Sequence, residues 1–151
     1  MDYMQQAIEE ARAGIRNKEG GPFGSVIVKD GAIVGKGHNQ VLLLHDPTCH
    51  GEMQAIRSAS KRLGTHDLSG CILYTTAEPC PMCLGGILWA NIRTVYYGCN
   101  RHDTDAIGFR DDVFYDSFYG KNSLVSVQES ARQQCMELFA EYEGIAGGKR
   151  Y

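Results

Sequence analysis

Residues 78–83 read EPCPMC, with Cys80 and Cys83 two residues apart and a proline before each pair member's segment at Pro79 and Pro81. The residues on either side set the context. CILYTT at 71–76 is a short β-branched and aromatic run that predicts a strand. PMCLGGILWAN opens with proline, suited to a first helical turn, and predicts a short helix. The cysteine pair therefore sits where a strand ends and a helix begins. Taken alone, that placement fits a redox couple, a structural zinc knuckle, or two ligands of a catalytic metal.

Outward from the pair, the chain alternates. Met4, Ala7, Ile8, Ala11 and Ile15 recur at helical spacing over 2–18. SVIVKDGAIVGKGHN follows, two apolar runs joined by Asp30-Gly31, a strong hairpin signal. From His50 to Leu63 the period is helical again, with Gly64 as its stop. TVYYG at 94–98 predicts a strand, 100–122 an irregular polar segment, SLVSVQ at 123–128 a last strand, and 129–143 a helix. Helices alternating with apolar strands predict an α/β fold, a mixed sheet covered by helices on both faces.

Composition limits the function classes. The 151 residues are 43% apolar and 22% charged, which suits one globular domain with a core of its own. The formal net charge of −3 argues against a surface built to grip a phosphate backbone, so nucleic acid is not the expected partner. MDYMQQAIEEARAG carries acids and no long apolar run, and no later stretch reaches membrane-spanning length. A cytoplasmic setting, without a membrane partner, is expected. In a reducing compartment six cysteines are not expected to form disulfides. Cys49, Cys71, Cys99 and Cys135 stand singly and read as small buried hydrophobes.

The alternatives for Cys80 and Cys83 narrow thirty residues upstream. CHGE at 49–52 places His50 at the start of another predicted helix, with Glu52 two residues on. Helix N-termini favour anions, which helps hold cysteines as thiolates. One imidazole and two thiolates make three zinc ligands. Structural zinc sites are closed by four protein ligands, while catalytic sites keep a position for water, so three ligands without a clear fourth favour catalysis. Glu52 is then a candidate to move protons between water and substrate.

The combination H-x-E … P-C-x-x-C is that of zinc deaminases. GPFGSVIVKDG, HN at 38–39, DPTCHGE, TTAEPCPMC and YYG together resemble the cytidine deaminase-like superfamily over most of 20–112. Within it, HDTDAIGFRDD at 102–112 and the terminal aromatic Tyr151 are similar to the guanine deaminase branch, with tRNA adenosine deaminase the alternative. Gly51 departs from the alanine more common there. The resemblance implies a three-layer α/β/α sandwich around a mixed five-stranded sheet. It implies one Zn2+ per chain on His50, Cys80 and Cys83, Glu52 as proton shuttle, and a small purine as substrate. Phe23 would stack on the base, Asn39 would hydrogen-bond it, Trp89 would wall the pocket, and Asp111 would read guanine, with Asp112 one residue away. It also implies a homodimer in which the tail 142–151, hinged at Gly147-Gly148 and ending in Tyr151, exchanges between subunits.

Overall fold

The computed structural model describes residues 1–145 and 150–151; the Gly147-Gly148 joint lies outside the described residues. Helix α1 (Tyr3–Arg16) starts at Asp2, whose carboxylate accepts from the Gln5 amide at 3.0 Å. Strands β1 (Gly24–Lys29) and β2 (Ala32–His38) form the expected hairpin. Its turn residues Asp30 and Gly31 have φ of 49° and 79°, the left-handed conformation that a two-residue hairpin turn needs. A short turn of helix, α2 (Val41–Leu44), precedes α3 (Gly51–Leu63), which Gly64 ends at φ 68°. Then come β3 (Ile72–Ala77), α4 (Pro81–Trp89) and β4 (Thr94–Cys99).

The strands lie in the order β2-β1-β3-β4. β1 is antiparallel to both neighbours and β3 is parallel to β4. α1 covers one face, packing Ala7 against Val26 and Val28. α3 and α4 cover the other, where Ile27, Leu73, Ile87, Leu68 and Ile92 are almost fully buried. Each such side chain contributes about 1.5–3 kcal/mol by leaving water. The three layers are those expected, but the sheet has four strands among the described residues, not five.

The missing strand is 123–128. It is exposed and pairs with nothing among the described residues. Period-two alternation chooses a face for a strand but supplies no neighbour to bond it. The segment 100–122, expected to be irregular, instead holds two short helices, α5 (Arg101–Ala106) and α6 (Asp111–Phe118). Asn100 caps α5 by accepting from His102 and Asp103, while the Asp103 carboxylate accepts from the Asn100 amide at 2.9 Å. Beyond them runs α7 (Arg132–Ile145), which buries no residue. Cys49 and Cys71 are buried as expected; Cys99, at the open end of β4, and Cys135, on α7, are exposed. No described helix is long and apolar enough to cross a membrane.

Two glycines of β2 set the distance of α3 from the sheet. A Cβ on Gly35 would lie 2.6 Å from the Ala55 carbonyl oxygen, and one on Gly37 would lie 2.4 Å from the Ala55 nitrogen. Both obstacles are backbone and cannot swing aside. Gly37→Ala is therefore expected to push α3 outward and cost about 1–3 kcal/mol, with weakened zinc retention. Urea unfolding of the metal-loaded and chelator-treated protein measures both effects.

Candidate active site

Two helix starts meet at the carboxyl end of β3, beside the amino end of β1. His50 is the residue that begins α3 and Cys80 the one that begins α4. Cys83 follows one turn later, fully buried. His50 Nδ1 lies 3.5 Å from each sulfur, and the three atoms all fall within 4.8 Å of one another. A tetrahedral zinc with ordinary bonds of about 2.05 Å to nitrogen and 2.3 Å to sulfur holds such atoms about 3.6 Å apart. The spacing and the soft donor set both fit zinc, and no fourth His, Cys, Asp or Glu joins the cluster among the described residues. The two sulfurs share a proton: the Cys83 thiol hydrogen-bonds Cys80 and, with burial opposing and His50 assisting, holds Cys80 down at about 4, while the same bond and burial push Cys83 up, so that a metal takes Cys80 as a thiolate and displaces the proton of Cys83.

Glu52 sits in the first turn of α3, 5% exposed. Its carboxyl accepts from the Thr75 hydroxyl at 3.2 Å, and Ser25 in turn bonds Thr75 at 2.9 Å. Burial pushes Glu52 above the usual carboxylate range. A carboxyl that holds its proton more readily is suited to carrying one between reaction partners. The helix that presents the ligand also presents this shuttle, because residues i and i+2 at a helix start both precede the first complete turn.

A cavity of about 570 Å³ opens over these groups. Phe23, Asn39, His50, Glu52, Cys80 and Asp111 all line it, so six of the residues singled out in the sequence converge. Asn39 is 5% exposed, and its side-chain oxygen accepts from the Val41 amide at 3.1 Å, which leaves the amide nitrogen for a ligand. Phe23 meets Phe109 edge to face, ring centres 4.8 Å apart. Asp111 opens α6, and burial, reinforced by the Cys80 charge, pushes its carboxyl up to about 6.

Asp112, its neighbour, does different work. It is not on the cavity; it pairs with Arg101 at 3.4 Å and His102 at 2.8 Å, tying α6 to α5. Trp89 and Tyr151 also stand outside this cavity. Trp89 ends α4 and is 68% exposed. Six residues past Cys83, it lies about 9 Å further along the helix axis. Its ring centre is 6.0 Å from that of Tyr151. The sequence reading had not picked out Phe109, Glu78 and Arg110, which line the cavity too. Phe109 is 86 positions from the ring it packs against, so no local periodicity could pair them.

The chain belongs to the zinc deaminases: residues 1–99 match the family of the cytidine and deoxycytidylate deaminase zinc-binding region. Among relatives, it is 49% identical over 113 residues to guanine deaminase of Bacillus subtilis, covering 75% of this chain and 72% of that one. It superposes on the crystal structure of a Bacillus subtilis guanine deaminase with a TM-score of 0.91 and 39% identity, covering 99% of this chain and 96% of that one. It is also 43% identical over 95 residues to a tRNA-specific adenosine deaminase of Aquifex aeolicus, covering 63% of this chain and 62% of that one.

Asp111 has its folded-state pKa raised above its ordinary value of 3.8, so the fold disfavours its charge. Stability is then lost as pH rises from the ordinary value through about 6. Asp111→Asn is expected to raise the melting temperature at pH near 7 while leaving it unchanged at pH near 3.5, below both values. Thermal unfolding of the chelator-treated protein at the two pH values checks this.

Proposed function

We propose that the protein hydrolyses guanine to xanthine and ammonia. The observation that carries the reading is the Asp111 carboxylate, set on the same cavity as Glu52, Asn39 and Phe23. Guanine presents adjacent donors, N1–H and the 2-amino group, and one carboxylate accepts from both; ionised acceptors form the stronger bonds. Adenine presents no such pair, and a base that left Asp111 unpaired would incur the cost of a buried, unsatisfied charge.

His50, Cys80 and Cys83 would hold the zinc, which would supply a water acidic enough to lose its proton near neutral pH. Glu52 is placed to accept a proton from the attacking water and to pass it to the amine that leaves C2. One water is consumed and one ammonia leaves. Phe23 stacks on the purine, the Asn39 amide donates to it, and Asp111 fixes which edge meets Glu52. Similarity to the Aquifex aeolicus enzyme supports a second reading, deamination of adenosine in tRNA. The net charge of −3 and the Asp111 carboxylate weigh against it.

Ammonia release from guanine, guanosine, adenine, cytosine and an anticodon stem-loop decides the substrate. Guanine is expected to be turned over, and conversion of the stem-loop with guanine inert overturns the reading. Glu52→Gln is expected to retain about one zinc per chain and lose at least about a hundredfold in kcat. Asp111→Asn is expected to lose guanine turnover without losing metal.

We further propose that two copies pair, and that 142–151 crosses between them so that Tyr151 acts at the neighbour's site. The exposure of α7, including Leu138 at 59% and Phe139 at 62%, supports a partner for it. Mixing Glu52→Gln chains with chains lacking 142–151 tests the exchange. Each is expected to be inactive alone; activity is expected to return in the mixture if the tail acts across copies, and not otherwise.

A further inference from the structure

Outside the cavity, one half-buried titratable group is held by two acids. His38 ends β2, its side chain only 17% exposed. Its Nδ1 lies 3.1 Å from Glu10 of α1, and its Nε2 lies 2.5 Å from Glu19 of the following loop. A Cβ on Gly14 would meet the ring at 2.7 Å, so α1 packs directly on it.

Glu19 is a hub for the cavity wall. Its carboxylate also accepts from Gln40 at 3.0 Å, and its carbonyl accepts from the Leu42 and Leu43 amides at 3.0 and 3.1 Å. A Cβ on the next residue, Gly20, would fall 2.1 Å from the Asn39 side-chain oxygen. Asn39 donates its own backbone amide to the Phe23 carbonyl at 2.9 Å. The loop that follows Glu19 therefore rests on the two residues that receive the base.

We propose that His38 is a positioning residue: as an imidazolium bridging Glu10 and Glu19, it ties the 19–23 loop and Asn39 to α1 in the arrangement that receives the purine. The neutral ring has one N–H and serves one acid only; the protonated ring serves both. Burial alone would depress His38, but the bonds from Glu19 and Glu10 outweigh it and its pKa is raised. The bridge is thus complete below that value and lost as pH rises through it. Glu10 and Glu19 are the titratable groups that face the ring. On the same face of β2, Lys36 engages Gln6 of α1 at 3.4 Å; β1 offers only Gly24 opposite His38, and α3 lies on the other face of the sheet.

The inference rests on the guanine reading for its substrate, and the experiment separates the two. On the zinc-loaded protein, the His38 ring is titrated by NMR, with H38Q used to assign its resonance. In parallel, kcat and KM for guanine are followed from about pH 6 to about pH 10 in wild type, Glu19→Gln and His38→Gln. In wild type, KM is expected to rise about fivefold, the worth of one hydrogen bond, across the pH range where the ring titrates, with kcat unchanged. Glu19→Gln is expected to move the NMR transition and the KM rise together to lower pH. His38→Gln is expected to be flat apart from guanine's own N1–H ionisation, which all three proteins share. A KM profile that neither substitution alters, a ring titrating at the ordinary histidine value, or a fall in kcat at constant KM overturns the proposal. If guanine is not a substrate, the substrate reading fails, but hydrogen exchange still decides this one. The Asn39 and Leu42 amides of wild type are expected to drop to the protection of His38→Gln above the transition, and unchanged protection overturns it.

Discussion

The close approach of α3 to β2 is the constraint on which the site depends. Gly35 and Gly37 leave no side chain between strand and helix, so the backbone of α3 rests against that of the sheet. Only then does the start of α3 reach the start of α4, which β3 delivers from the middle of the sheet. The 3.5 Å separations between the imidazole and the two sulfurs follow from two rigid elements meeting end to end. They do not depend on loops chosen for the purpose. Glu52 inherits its position from the same helix and is then fixed by Thr75 and Ser25 on the strands beneath it.

Around that frame, each group is held in direction by a neighbour. Asn39 is turned by the backbone of Val41, and Phe23 is braced by Phe109. Asp111 is steadied by what its neighbours do. Asp112 binds Arg101 and His102, Arg101 lies over the Tyr115 ring with its guanidinium carbon 4.6 Å from the ring centre, and the Tyr115 hydroxyl donates to the Pro79 carbonyl, one residue before Cys80. The α5–α6 hairpin is therefore anchored to the same turn that carries the first sulfur. Two adjacent aspartates thus have separate tasks, one toward the cavity and one toward the scaffold.

What the sequence made legible was whatever local chemistry encodes. The hairpin at Asp30-Gly31, the stop at Gly64, the proline that opens α4 and the three metal ligands all carry their signal within a few residues. The choice between Asp111 and Asp112 was not legible, because a single helical position separates facing the cavity from facing Arg101, and sequence spacing near an uncertain helix start does not resolve one position. The helices α5 and α6 were hidden by their brevity, although the Asn100–Asp103 capping pair was there to be read. SLVSVQ misled for the opposite reason: its alternation is strand-like, yet pairing needs an open edge within reach, which alternation does not report. Trp89 was assigned to the cavity by likeness alone, and the rise of α4 carries it away from the cavity of its own chain.

Hydrolytic machinery and base selection come from different stretches of chain. The candidate metal ligands and Glu52 lie between residues 50 and 83, while Asp111, the acid proposed to read the base, arrives on a hairpin after residue 100. A lineage could therefore acquire a new nucleobase by rewriting that one hairpin, leaving the reaction itself untouched.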